Sequence, residues 1–320
     1  MSQAVVILCP GQGAQSVGMG KSWFDAFPVA RQTFAAADET LRELPGGAKL
    51  SDLCWNGPAE VLNRTDVSQP ALYTTAVACF QSLVDRDGGV DLRAAAGLSL
   101  GEYTALHLAG AFSFADGLRL VALRGRLMQE AAEASKGGMV ALIGADESQA
   151  QAVCDGAAAG DVLVCANFNA PGQIVLSGHA AACQRAVEVA STLGLRAAPL
   201  QVAGAFHSPL MAPAAAGLAK ALEHVPFQPL AADVWSNVTG KPHDRVAVES
   251  VKKLLVEQLV NPVRWSQSCA DLLATLKSTS TDGATLPKSW ELAPGTVLKG
   301  LMRRIDRAWE VIAHDQANAA

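Results

Sequence analysis

The 320-residue chain is half hydrophobic and only 17% charged, with a formal net charge of −5 at pH 7. This composition supports one large core, or a large domain carrying a small one, and it excludes global disorder. The chain has no run of five or more Lys and Arg residues, and no apolar stretch reaches the ~20 residues of a membrane helix. We therefore expect neither a nucleic-acid nor a membrane partner.

Apolar runs separated by turn residues predict alternating strands and helices in the first 136 residues. The run Val5–Cys9 predicts a buried strand and not a signal peptide, because no basic residue precedes it and Pro10-Gly11 follows at once. Pro70 is expected in the first turn of a helix over 70–84, where its missing N–H costs nothing. The other elements predicted here are helices at 23–44, 59–64, 103–111 and 114–132 and a strand at 94–98.

The texture of the chain changes at Lys136-Gly137-Gly138. Strand and helix patterns then follow in the order β-α-β-β-α-β, which is the ferredoxin-like arrangement. We expect an inserted ferredoxin-like subdomain at 137–202, within a discontinuous, α/β-hydrolase-like domain with a parallel sheet at 1–136 and 203–320. After the insertion the patterns predict helices at 209–223, 246–259 and 265–276, a strand near 234–236, a loop at 277–289 and a last helix from about Gly295.

The seven cysteines include no pair with C-x2-4-C spacing, and their number is odd. Neither a metal site nor a disulfide framework is therefore expected. Reduced core cysteines are typical of a cytoplasmic protein, which is the location we expect.

The motif Gly97-Leu98-Ser99-Leu100-Gly101 lies between a predicted strand and a predicted helix. A G-x-S-x-G sequence at such a sharp turn holds a serine hydroxyl above the edge of a sheet, at a helix N-terminus. The N–H of Leu100 can then face a developing oxyanion, and a backbone N–H within the Gly-rich segment 10–15 can complete the pair. A structural Gly-rich turn is the alternative interpretation.

A serine nucleophile needs a base, and six histidines are available. His207 is the best candidate, because it lies in an apolar loop directly after the insertion returns to the large domain. His107 points away from the turn and is the next candidate. His224, His243 and His314 lie among polar or turn residues and are expected to be solvated.

The segment 123–129 places two arginines in an otherwise apolar helix. A buried guanidinium is costly unless it meets an anion, and its planar fork fits a carboxylate. Either Arg124 or Arg126 could serve, and the other could lie at the surface.

Together these residues resemble the malonyl-CoA:acyl-carrier-protein transacylase family, which is related to the acyltransferase domains of polyketide synthases. The resemblance extends over nearly the whole chain and rests on eight segments in family order. They are PGQGAQ at 10–15, TDVSQPAL at 65–72, GLSLGEYTAL at 97–106, LRGRLMQEAA at 123–132, NFNAPGQIVLSG at 167–178, AFHSPLM at 205–211, NPVRW at 261–265 and APGTVLKGL at 293–301.

The resemblance implies transfer of a malonyl group from malonyl-CoA to the phosphopantetheine thiol of acyl carrier protein, for fatty-acid or polyketide synthesis, with no cofactor or metal. It implies that Ser99 is the nucleophile and His207 the base, oriented by a backbone carbonyl near Gln258. The remaining roles that it implies are an oxyanion hole formed by the N–H groups of Gln12 and Leu100, and substrate binding by Arg124, Phe206 and Asn167.

The chain departs from the family pattern in three places. Leu98 stands where the family usually has His before the nucleophile, Ala293-Pro294-Gly295 replaces G-P-G, and the loop at 277–289 is unfamiliar. Phe206 accompanies malonyl selection in the polyketide branch, where a smaller residue accompanies methylmalonyl. A ring there would fill the space of an α-methyl group and give a preference rather than absolute exclusion.

Two other functions use the same residues. A serine esterase or thioesterase of the α/β-hydrolase type would share Ser99 and His207, but its order is Ser…Asp/Glu…His with a late histidine. A non-catalytic interaction module would not need the intact Ser, His and Arg set. For an acidic carrier protein we expect a basic patch near the cleft, with candidates Arg185, Arg196, Lys288 and Lys299.

Overall fold

The computed structural model describes residues 3–42, 44–279 and 286–317. The strands are β1 (Gln3–Cys9), β2 (Val90–Gly97), β3 (Gly137–Ile143), β4 (Leu163–Ala170), β5 (Gln173–His179), β6 (Arg196–Pro199), β7 (Asp233–Trp235), β8 (Lys288–Leu292) and β9 (Val311–His314). The α-helices are α1 (Lys21–Ala26), α2 (Pro28–Thr40), α3 (Leu50–Asn56), α4 (Ala59–Leu62), α5 (Thr65–Arg86), α6 (Leu100–Leu108), α7 (Phe114–Ser135), α8 (Glu147–Ala158), α9 (Ala180–Thr192), α10 (Ala212–Leu222), α11 (Val248–Glu257), α12 (Trp265–Thr279) and α13 (Val297–Ile305).

A five-stranded parallel sheet in the order β7-β2-β1-β8-β9 forms the centre of the larger part of the molecule. Its middle strand is apolar without alternation because both faces are covered, as is typical of parallel sheets. Val5 and Ile7 pack into the core on one face, and Val6 and Leu8 pack into the core on the other. The predicted α/β class with a parallel sheet is confirmed.

Strands β1 and β2 end side by side, with Cys9 opposite Gly97 in the register. The segments that follow them, beginning at Pro10 and Leu98, therefore emerge at the same edge of the sheet. This carboxyl edge is where open α/β sheets place their ligand sites.

The second sheet is antiparallel and four-stranded, in the order β4-β5-β3-β6. Helices α8 and α9 contribute to an apolar core of its own. The β-α-β-β-α-β order is the ferredoxin-like one that the sequence predicted. We propose that 137–202 is the inserted subdomain, and that 1–136 and 203–320 form the large domain, because the core beneath α8 and α9 consists of residues from this segment alone.

Several predicted boundaries were wrong in the first part of the chain. The pattern at 23–44 is two helices, α1 and α2, because the extended backbone of Phe27 before Pro28 ends the first. Helix α3 was not predicted. Helix α5 begins at Thr65, so Pro70 lies inside it and Gln69 becomes a helical residue.

The predicted loop at 277–289 was also wrong at both of its ends. Helix α12 continues to Thr279 and β8 begins at Lys288, whereas residues 280–285 lie outside the described part of the chain. Strand β9 was not predicted. Within the described ranges, no helix is long and apolar enough to cross a membrane.

Candidate active site

Ser99 lies at the turn between β2 and α6, at φ 51° and ψ −102°. A non-glycine residue in this region is strained, as the G-x-S-x-G pattern predicted. The flanking glycines permit the turn, because a Cβ on Gly97 would lie 1.8 Å from the carbonyl carbon of Gly101 and a Cβ on Gly101 would lie 2.1 Å from the carbonyl oxygen of Cys9. The serine hydroxyl therefore sits at the N-terminus of α6, above the sheet edge.

His207 meets Ser99 across 108 residues of sequence. Its Nε2 lies 2.9 Å from Ser99 Oγ, and its Nδ1 lies 2.8 Å from the backbone carbonyl oxygen of Gln258. A carbonyl oxygen can only accept, so Nδ1 carries the proton and Nε2 is free to accept from the serine hydroxyl. The structure thus brings the predicted nucleophile, base and orienting carbonyl together.

The electrostatic setting of His207 favours its neutral form. Burial lowers the pKa of the ring from 6.5 to about 4, and the positive charge of Arg124 acts in the same direction. The hydrogen bond to the carbonyl of Gln258 opposes both effects but does not cancel them. Neutral imidazole is the form that can take a proton from Ser99.

Arg124 is the arginine that faces the site. It is 1% exposed, and its Nη2 donates to Ser99 Oγ at 3.1 Å and to the side-chain Oε1 of Gln258 at 2.8 Å. Its Nη1 donates to Gln69 Oε1 at 2.8 Å, whereas its buried Nε has no partner among the described residues. Arg126 is exposed and faces Glu130, so it is the surface arginine.

No carboxylate in the described ranges forms an ion pair with Arg124, and the three oxygens that accept its hydrogen bonds are neutral. Burial lowers the pKa of its guanidinium, and the nearby Tyr103 and Glu102 oppose that effect. A buried guanidinium that is hydrogen-bonded only to neutral groups is suited to receive an anion from a ligand.

A cavity of about 310 Å³ opens above Ser99 and His207. Gln12, Phe206 and Asn167 line it. The sequence predicted Gln12 as an oxyanion donor and the other two as substrate-binding residues. Leu100 is the first residue of α6, so its N–H has no acceptor within the helix. The predicted oxyanion donors, Gln12 and Leu100, belong to the segments that follow β1 and β2 at the shared sheet edge.

Sequence reasoning missed a set of buried polar side chains beneath Ser99. Glu102, Asn237 and His243 are almost fully buried, and His243 Nε2 lies 2.8 Å from Glu102 Oε1. The prediction that His243 and His314 are solvated was wrong, since they are 4% and 5% exposed. No clear sequence signal marked this set, because Glu102 lies in the first turn of α6, where an exposed acid is also common.

A wider groove of about 1120 Å³ adjoins this cavity and shares Gln12 and Leu98 with it. Its basic residues come from the end of α13 and the residues after it, and they are Arg303, Arg304 and Arg307. These three side chains are exposed and form no ion pair within the described ranges. None of the four basic residues predicted for a carrier patch lines this groove, and Arg185 is instead paired with Asp161.

The described residues include no group of three or more His, Cys, Asp and Glu side chains placed to hold a metal ion.

Comparison with known proteins defines the class. The family profile described as the acyl transferase domain matches residues 6–284, and the chain belongs to this acyl transferase family. Within it, the malonyl CoA-acyl carrier protein transacylase of Bacillus subtilis is 40% identical, covering 97% of this chain and 92% of the relative. The Escherichia coli K12 protein of the same name is also 40% identical, covering 92% and 91%.

Solved structures agree with the sequence relatives. The malonyl-CoA:acyl carrier protein transacylase of Xanthomonas oryzae is similar with a TM-score of 0.89 at 40% identity, covering 100% of this chain and 97% of that one. A type II PKS acyl-carrier protein in complex with its malonyl-transacylase gives a TM-score of 0.89 at 37% identity, covering 99% and 97%. The predicted family resemblance is confirmed.

Proposed function

We propose that this chain is a malonyl-CoA:acyl-carrier-protein S-malonyltransferase that works through a malonyl-Ser99 intermediate. The observation that carries the proposal is Arg124, a buried guanidinium 3.1 Å from Ser99 Oγ that has no anionic partner among the described residues. A malonyl group places a carboxylate two carbons beyond its reacting carbonyl. The guanidinium of Arg124 beside the nucleophile is therefore within reach of that carboxylate. Its positive charge can pair with the negative charge of the malonyl group.

In the first half-reaction, Ser99 Oγ attacks the thioester carbonyl carbon of malonyl-CoA while its proton passes to His207 Nε2. The oxyanion accepts hydrogen bonds from the N–H groups of Gln12 and Leu100, which are preorganised at the sheet edge and at the start of α6. The C–S bond then breaks, and His207 returns the proton to the departing sulfur. Free CoA leaves, and malonyl stays on Ser99.

In the second half-reaction, the phosphopantetheine thiol of the carrier attacks the ester of Ser99. His207 accepts the thiol proton and gives it back to Ser99 Oγ as the ester bond breaks. The carbonyl of Gln258 holds the imidazole in one tautomer throughout and disperses its charge when it is protonated. Ser99 and His207 thus act as a dyad oriented by a backbone carbonyl.

The cavity wall limits what the acyl group can be. Phe206 is buried and lines the cavity beside His207, so its ring occupies space next to the acyl carbon. We propose that it disfavours a methylmalonyl group, and that Asn167 contacts the substrate from the β4 side of the same cavity. The reaction needs no cofactor beyond the CoA of the donor and the phosphopantetheine of the acceptor.

The acceptor is proposed to reach the site through the adjoining groove. Its exposed arginines, Arg303, Arg304 and Arg307, give this face a positive charge that complements an acidic carrier protein.

The seven cysteines are free thiols, which supports a reducing, cytoplasmic setting.

The test is transfer from isolated acyl-enzyme. Enzyme loaded with radiolabelled malonyl-CoA is freed of CoA and offered carrier protein with phosphopantetheine, carrier protein lacking it, or buffer alone. We expect label on the phosphopantetheinylated carrier only, with little free malonate. Rapid release of malonate in all three samples would instead identify a thioesterase.

A further inference from the structure

Both peptide groups of Ser99 are held by amide side chains from distant parts of the chain. The N–H of Ser99 donates to Asn237 Oδ1 at 2.6 Å, and Asn237 Nδ2 in turn donates to the carbonyl oxygen of Gly97 at 2.8 Å. The carbonyl oxygen of Ser99 accepts from Gln258 Nε2 at 3.0 Å. The strained backbone at the nucleophile is therefore clamped on both sides.

One carboxylate oxygen accepts hydrogen bonds from both Asn237 and Gln258. Glu102 Oε2 accepts from Gln258 Nε2 at 2.7 Å and from the backbone N–H of Asn237 at 3.0 Å. The other oxygen, Oε1, faces His243 at 2.8 Å. Glu102 is 0% exposed, so bulk solvent does not reach its carboxylate.

The carboxylate also decides which way the amide of Gln258 points. A carboxylate has no proton to donate, so the NH2 group of Gln258 must face Glu102. The amide oxygen of Gln258 then faces the opposite way, and it accepts from Arg124 Nη2 at 2.8 Å. If the amide turned over, its NH2 group would meet the donor of Arg124, and the guanidinium would be displaced from Ser99.

We propose that Glu102 is a positioning residue, which fixes the strained backbone of Ser99 through Asn237 and aims Arg124 at the acyl carboxylate through Gln258. The inference rests on the proposed role of Arg124 in malonyl binding. It assigns Glu102 an effect on selectivity as well as on rate, although Glu102 touches neither substrate nor reacting atoms.

The experiment compares self-acylation by malonyl-CoA and by acetyl-CoA, and its readout is the ratio of the two kcat/KM values. This ratio does not depend on the fraction of protein that is folded. In Glu102→Ala we expect both rates to fall and the malonyl-to-acetyl ratio to drop about tenfold, since the guanidinium loses its alignment. Gln258→Met should lower the ratio similarly without removing a buried charge, and it decides the matter if Glu102→Ala folds poorly.

Glu102→Gln should rescue most of the loss. Its amide oxygen can accept from both Gln258 and Asn237, provided that its NH2 group faces His243 and that ring accepts through Nε2. We expect its ratio to stay within about threefold of the wild type.

His243→Leu is the matched control, because it disturbs the same carboxylate from the Oε1 side. It should lower Tm and leave the malonyl-to-acetyl ratio within about twofold of the wild type. If His243→Leu lowers the ratio as much as Glu102→Ala does, the effect comes from general loosening of the buried cluster and the inference is overturned.

Arg124→Ala distinguishes a failure of the positioning role of Glu102 from a failure of the proposed contact between Arg124 and the malonyl carboxylate. If Arg124→Ala loses malonyl preference while Glu102→Ala and Gln258→Met keep the wild-type ratio, the positioning role is wrong and the proposed function stands. If Arg124→Ala itself keeps the ratio, the proposed carboxylate contact is wrong.

Discussion

His207 gives a quantitative prediction that follows directly from its surroundings. Burial, and then the charge of Arg124, lower its pKa from 6.5 to about 4. One pKa unit corresponds to about 1.4 kcal/mol, so protonating this ring in the folded protein costs about 3 kcal/mol more than in water. The base is therefore already in its active form well below neutral pH.

The measurement is kcat/KM for self-acylation by acetyl-CoA as a function of pH, read by intact mass after rapid quenching. This parameter reports the ionisation of the free enzyme, and acetyl-CoA brings no acyl carboxylate of its own to titrate. We expect a plateau from about pH 5.5 to pH 8 and an acid limb only near pH 4. Enzyme returned to pH 7 after each exposure must recover full activity, which excludes unfolding as the cause.

Arg124→Ala removes the second cause of the shift and leaves the first. Its acid limb should move to higher pH than in the wild type but stay below pH 6.5, because burial is the larger cause. A wild-type limb near pH 6.5 would instead mean that the base is solvated, which contradicts the burial of His207. If the acid limb of Arg124→Ala stays at the wild-type pH, the charge of Arg124 is not a cause of the lowered pKa of His207.

Protein stability, acyl selectivity and carrier docking should each respond to a single substitution. Between pH 6.5 and pH 4 the histidine is protonated in the unfolded chain but neutral in the folded protein, so protonation favours unfolding. The free energy of unfolding should therefore fall by about 3 kcal/mol as pH drops from 6.5 to 4. Urea titrations of His207→Gln should lack this pH-dependent loss of stability. Arg124→Ala should raise the activation free energy of malonyl transfer by ~2–5 kcal/mol and that of acetyl transfer by less. Arg124→Lys should rescue malonyl transfer in part. If the steady-state kcat/KM values for malonyl-CoA and acetyl-CoA fall by the same factor, Arg124 has only a structural role. Phe206→Ser should raise the kcat/KM for methylmalonyl-CoA relative to malonyl-CoA by about tenfold or more. An unchanged ratio in competition assays would mean that the ring of Phe206 does not limit the size of the acyl group. Arg304→Glu should slow transfer to the carrier but not self-acylation by malonyl-CoA. Added salt should slow the carrier step more than it slows self-acylation, and equal salt sensitivity of both steps would count against the groove.

The parts of the site that the sequence could predict are those with a local signature. The strained turn of Ser99 needs glycine on both sides within five residues, so the motif itself carries the geometry. Arg124 stood out because a charge in an apolar helix needs a reason. His207 followed from its place directly after the insertion, where the chain returns to the sheet edge.

The buried network beneath Ser99 had no such signature. Glu102 lies in the first turn of α6, which is an ordinary place for an exposed acid that favours the helix dipole. His243 is flanked by Lys241-Pro242 and by Asp244-Arg245, so its neighbours indicate a surface loop. Its burial depends on a contact with a residue 141 positions earlier, and local pattern contains no information about that pairing.

Strand β8 was missed for a related reason. Glu291 interrupts the apolar pattern of β8, yet it is 0% exposed because it accepts from the N–H groups of Leu298 and Lys299 at the start of α13. A buried acid that caps a helix resembles, in sequence, an exposed acid in a loop. Burial raises the pKa of its carboxyl group to about 7, although the two N–H donors oppose this shift.

In the proposed mechanism, Ser99 carries the malonyl group between donor and acceptor. The most direct measurement is peptide mapping by mass spectrometry after brief incubation with malonyl-CoA and no acceptor, for the wild type and Ser99→Ala. We expect one malonyl group per wild-type chain, located on Ser99 and removed by phosphopantetheinylated carrier, and no adduct in Ser99→Ala. An adduct on another residue, or near-normal loading of Ser99→Ala, would contradict it.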